Sequence, residues 1–117
     1  MQGGKFIRGL GGAILIAALL SGAPATASST GAGHISVVQV LSNGVVLFNH
    51  DGDRTTLPGC ATNLGRWTFD GATPAGQAKL AVLMSAYGLN KRIVVAGLGA
   101  CNETSGIESM NNFYLTD

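Results

Sequence analysis

The sequence predicts a mainly β domain: a five-stranded OB-fold barrel with one α-helix between the third and fourth strands. Three observations lead there. Short runs rich in Val, Ile and Leu alternate with Asn-Gly, Asp-Gly and Pro-Gly turn signals. One segment changes to the helical period, after three such runs and before two more. The first run is long and its alternation slips in the middle, as expected of a strand that bends to serve both sides of a small barrel.

Residues 28–33 are small and polar and are read as a loose N-terminal arm, with the barrel domain over 34–117. The first strand is expected over 34–42, with Ile35 and Val37 in one phase and Val38 and Val40 in the other, the pattern of a bulge. Asn43-Gly44 is the strongest short hairpin signal, and 45–49 forms the return strand. Asp51-Gly52 marks a second turn, and 54–57 is the third strand, closed by Pro58-Gly59. A short extended segment over 66–69 surrounds Trp67, the only tryptophan, which is assigned a structural place over the barrel end. Thr73 caps the helix and Pro74 fits its first position; the helix runs to Tyr87, with Gly88 closing it in a left-handed cap. The strand over 91–98 contains Gly97, which with Gly99 bends it or lets a neighbour approach, and the last strand covers 107–116.

At 100° per residue, Leu80, Leu83, Met84 and Tyr87 form one apolar stripe, expected to plug the barrel. The opposite side carries Ala75, Ala78, Ala81, Val82, Ser85 and Ala86, with Lys79 at its edge. A helix that is apolar and small on both sides is normally covered on both sides. The face of Ala78, Val82, Ser85 and Ala86 is therefore expected to be an interface between copies of the chain.

The N-terminus has the three parts of an export signal: Lys5 and Arg8, an uncharged stretch over 10–20, and the small residues Ala25-Thr26-Ala27. This predicts a signal peptide over 1–27 and a periplasmic or secreted protein. The apolar stretch falls well short of the roughly 20 residues needed to span a bilayer. Residues 28–117 carry five Lys/Arg against six Asp/Glu, a net charge of −1 with no basic stripe, which argues against a nucleic-acid partner.

Two cysteines in a small exported domain predict a disulfide between Cys60 and Cys101, worth about 2–4 kcal/mol. His34 and His50 stand at no zinc-binding spacing from them. Asp51-Gly52-Asp53 lacks the further acidic ligands of a calcium loop. No nucleophile elbow, P-loop or dinucleotide glycine pattern occurs. His34 or His50 beside Asp51 or Asp53 has no triad spacing, so no catalytic residue, metal or cofactor is expected.

Taken together, Gly33 before a bent strand, Asn43-Gly44-Val45-Val46-Leu47-Phe48, Pro58-Gly59-Cys60-Ala61, Arg66-Trp67, Ala75-Gly76-Gln77-Ala78 opening a helix that ends Ala86-Tyr87, and Gly99-Ala100-Cys101 form a recognisable order. It resembles the small exported bacterial proteins similar to the B subunit of subtilase cytotoxin, and more distantly the B subunits of pertussis-like toxins. The resemblance implies a homopentameric ring with helices around a central pore, recognition of glycans on host cells, and a catalytic A subunit as partner. The toxin subunits bind sugar through a serine near the start of the first strand. Here that neighbourhood holds Ala32, with Thr30 and Ser36 nearby, so no ligand-binding residue is carried over. Two functions follow as expectations: a glycan- or receptor-binding subunit of a secreted assembly, or a stand-alone periplasmic or secreted OB-fold protein with a protein-binding or envelope role and no toxin partner.

Overall fold

The computed structural model of the chain describes residues 26–117, so the signal-peptide expectation lies almost wholly outside the described residues. The fold grows from the Asn43-Gly44 turn. It joins β1 (Ile35–Val40) to β2 (Val45–His50) as an antiparallel hairpin. Gly44 takes φ +90, the Leu41 N–H donates to the Val45 carbonyl at 2.8 Å, and the Asn43 side chain accepts from the Val45 N–H at 3.1 Å. The phase slip in the first strand is a register shift between Ser36 and Gln39, with Val37 at φ +48.

The third strand is β3 (Arg66–Asp70), paired with β2 through five consecutive partners from Val45–Asp70 to Asn49–Arg66. This corrects the expectation of a third strand over 54–57. There only Arg54 makes a bridge, to Thr30, while Thr55 and Thr56 are exposed. Pro58 leaves that run too short to compete with the apolar Trp67–Phe69 stretch for the free edge of β2.

α1 (Pro74–Gly88) starts as expected, with the Thr73 hydroxyl accepting from the Gly76 N–H at 2.9 Å. Its end differs. Gly88 stays helical, and Asn90 takes the left-handed position at φ +54. The Asn90 N–H donates to Tyr87 and the Lys91 N–H to Ala86, the double bond pattern of a Schellman cap. β4 (Ile93–Gly97) and β5 (Met110–Leu115) then form a second antiparallel pair.

Two sheets result, of three and two strands. The hydrogen-bonded ladders do not close into the single five-stranded barrel that was expected. Isolated bridges join the sheets: Thr68 with Ser109 on one side, Ser29 and Gly33 with β4 on the other. At the β4 seam a side chain takes one of the backbone's places: the Thr30 hydroxyl accepts the Val95 N–H at 3.0 Å.

The same contacts correct the loose arm. Residues 28–33 are tied along β4: the Thr30 N–H donates to Val95, the Gly97 N–H to Ser28, and Gly33 and Ile93 exchange two bonds. Ser28 and Thr30 are buried. The core between the sheets and α1 includes Val46, Phe48, Trp67, Leu83, Ile93 and Met110, with Phe48 and Phe69 edge to face at 6.4 Å. Trp67 is fully buried, as a structural tryptophan should be.

Candidate functional site

The helix sets the surface. Its inward side is Gly76, Leu83 and Ala86, with Leu80 half-buried. A methyl at Gly76 would overlap the Asp70 carbonyl, so only glycine lets α1 settle this close to the end of β3. That settling rotates the helix away from the expected stripe. Met84 and Tyr87, placed in the core by periodicity, are 43% and 45% exposed. Ala86, expected at an interface, is fully buried and leaves the outward face. Ala78, Val82 and Ser85 do point outward, with Val82 46% exposed. Beside them lies a groove of about 250 Å³ lined by Ala78, Lys79, Val82, Asn112 and Phe113.

A buried polar cluster gathers around Glu108, just before β5. The Glu108 carboxylate is enclosed, and four donors meet it. The Ser28 hydroxyl and Arg54 Nη2, the latter at 2.9 Å, reach Oε1; the Ser28 N–H at 3.1 Å and the Gly99 N–H at 2.9 Å reach Oε2. Arg54 is itself buried. Its Nε donates to the Ser28 hydroxyl, and its Nη1 donates to the carbonyls of Asn63, Leu64 and Arg66. Its guanidinium lies 3.6 Å from the centre of the Trp67 ring, a cation–π contact. Burial pushes the Glu108 carboxyl up, but the hydrogen bonds from Ser28, Arg54 and Gly99 outweigh it and hold the group below its ordinary range. Burial pulls the Arg54 guanidinium down, and Glu108 offsets only part of that.

The close approach expected at Gly97 and Gly99 is made by this carboxylate. A methyl on Gly97 would overlap the Glu108 side chain, and the Gly99 N–H donates to it. The Cys60–Cys101 disulfide, with Cα atoms 6.0 Å apart, ties the loop after Arg54 to the segment that leads to Glu108. The Arg54–Glu108 pair was not anticipated. A signal existed: in the strand expected over 107–116, Glu108 shares the phase of the core residue Met110, and a carboxylate in core phase demands a partner.

A cleft of about 500 Å³ is lined by His50, Asp51, Gly52, Asp53, Arg54, Leu64 and Gly65. The structure gives its histidine a structural task. His50 is buried, its Nε2 bonded to the Ile93 carbonyl at 2.8 Å and its Nδ1 accepting from the Gly52 N–H at 3.3 Å. The Asp51 carboxylate accepts from the backbone N–H of His34 at 2.6 Å. Both ring nitrogens of His50 are thus held by backbone. Among the described residues no group of three or more His, Cys, Asp or Glu gathers at metal-binding range, and no helix is long and apolar enough to cross a membrane. Compared with known proteins, the chain matches no protein-family model, no curated protein and no solved structure.

Proposed function

We propose that the chain is an exported, non-catalytic binding subunit on an OB-type barrel, assembled as a ring of its own copies. The barrel reading is supported by the cycle of strand neighbours. β1 lies beside β2, β2 beside β3, β3 touches β5, β5 pairs with β4, and β4 returns to the arm that leads into β1. The cycle is completed by isolated bridges from Gly33, just before β1, and Ser109, just before β5.

The observation that carries the assembly is the outward face of α1. Ala75, Ala78, Ala81, Val82 and Ser85 make its centre, Met84 and Tyr87 protrude at one side, and it carries no charge except Lys79 at its edge. Val82 and Met84 stand about 200° apart around the helix axis, so its two flanks differ. One flank carries the groove over Phe113; the other carries the protruding Met84 and Tyr87. Unlike flanks on one element make a heterologous contact, and a heterologous contact that closes on itself makes a ring. Met84 and Tyr87 of one copy fill the Ala78–Val82–Phe113 groove of the next. The number five and the role of glycan or protein receptor as partner come from the resemblance to toxin B subunits.

Light scattering and sedimentation on protein lacking the first 27 residues test the reading. A particle of about five copies is expected. Val82→Glu should reduce it to monomer with the fold retained, because it buries a carboxylate without a partner under the Met84 and Tyr87 of the next copy at every repeat of the contact. A wild-type monomer at high micromolar concentration overturns the ring. A glycan array on the assembled protein then tests the ligand class.

A further inference from the structure

We propose that cleavage after Ala27 makes the new α-amino group of Ser28 an internal cation, which pairs with the buried Glu108 carboxylate and locks the mature fold. The inference rests on the export reading for the cleavage, and on geometry for the pairing. Ala25-Thr26-Ala27 carries small residues at the positions a signal peptidase reads. The boundary between surface and interior falls at the same bond: Thr26 and Ala27 are exposed and Ser28 is buried.

Every polar atom of Ser28 is already committed. Its N–H donates to Glu108 Oε2 at 3.1 Å and its hydroxyl to Oε1. That hydroxyl accepts from Arg54 Nε at 2.9 Å, and its carbonyl accepts from the Gly97 N–H at 2.8 Å. Ser28 is a socketed residue, although it stands at the edge of a segment that composition reads as a loose arm.

Hydrolysis of the Ala27–Ser28 bond consumes one water. The acyl carbon of Ala27 leaves as a carboxylate, and the Ser28 nitrogen takes a proton to become an ammonium. One of its N–H groups keeps the bond to Oε2, now charge-assisted and stronger than the amide bond it replaces. The other two face the space that Ala27 vacates, where water reaches them. Glu108, from the segment before β5, and Arg54, from the loop after β2, are the charged groups that meet Ser28; β4 brings only the backbone of Gly97. Arg54 holds one carboxylate oxygen and the ammonium the other, so the two cations do not compete for the same acceptor. An α-ammonium paired in this way keeps its proton beyond its ordinary range of about 7.7–8.0. The added stability is complete below that range and is lost as pH rises through the folded value.

The test compares three proteins: one beginning at Ser28, the same protein with Ser28 N-acetylated, and one beginning at Ala27. Acetylation keeps an N–H on the nitrogen and removes only the charge. At pH 7 the free Ser28 form should melt above the other two by on the order of 5–10 °C, the shift a tenfold gain in the folding equilibrium gives a domain of this size. The difference should vanish by about pH 10 and be absent in Glu108→Gln. Equal melting of the free and acetylated forms at pH 7, or a difference that survives Glu108→Gln, overturns the pairing. Should Glu108→Gln fail to fold, NMR titration of the Ser28 α-amino group decides: a pKa above about 8 supports the pair and one at or below it refutes it. N-terminal sequencing of the exported protein separates the two premises. Ser28 as first residue supports the processing step, and any other first residue overturns that step whatever the melting experiments give.

Discussion

Arg54→Met removes the cation that faces Glu108 while keeping an unbranched apolar stem. The variant is best made on the N-acetylated chain, so that no second cation reaches the carboxylate. Glu108 then keeps three donors, Ser28 N–H, Ser28 hydroxyl and Gly99 N–H, but loses its countercharge in a site closed to water. Breaking a buried pair from one side costs about 3–5 kcal/mol. The lost guanidinium over Trp67 adds about 0.5–2 kcal/mol. The carbonyls of Asn63 and Leu64 lie at exposed bonds and find water instead, so they add little. A loss of about 5 kcal/mol results, against a total of about 5–15 kcal/mol for a domain. The melting temperature should drop by about 20–40 °C. Urea unfolding followed by the fluorescence of Trp67, the only tryptophan, measures the loss directly. Arg54→Lys should fall between wild type and Arg54→Met, since an ammonium restores charge but not the fork that reaches Ser28, Glu108 and the three carbonyls together. The double variant Arg54→Met with Glu108→Gln should cost less than the two single losses added, because a neutral side chain does not miss the cation. An Arg54→Met protein within about 1 kcal/mol of wild type, or strict additivity in the double variant, would refute the reasoning.

Two further outcomes follow from the same region. Replacing Cys60 and Cys101 by serine opens a link across a separation of 41 residues and should cost about 4 kcal/mol by loop entropy; matched urea midpoints with and without reductant would contradict it. Because the Glu108 carboxyl is held below its ordinary range, its contribution to stability is complete above the unfolded glutamate value of about 4.3 and is lost as pH falls through the folded value; wild type should therefore lose stability on acidification below about pH 4 more steeply than Glu108→Gln.

Sequence alone determined the features whose chemistry is local. The Asn43-Gly44 turn, the bulge signalled by Val37 and Val38, and the Thr73-Pro74 helix start all depend on residues within a few positions of one another. The disulfide was legible because two cysteines allow one pairing. The tertiary structure decided everything that depends on which distant surfaces meet. Two runs could have paired with β2, and the choice of Arg66–Asp70 over 54–57 came from burying Trp67 and Phe69, not from strand propensity. Periodicity placed an apolar stripe on α1 but not its rotation. The close seat at Gly76 turned Ala86 inward and Met84 and Tyr87 outward. The arm looked loose because its small polar residues have no pattern of their own; β4 and Glu108 hold it. Arg54 and Glu108 lie 54 residues apart, and no local rule connects them. Their pairing exists only because the chain, once folded, leaves a carboxylate in the interior and a guanidinium as its compensating charge.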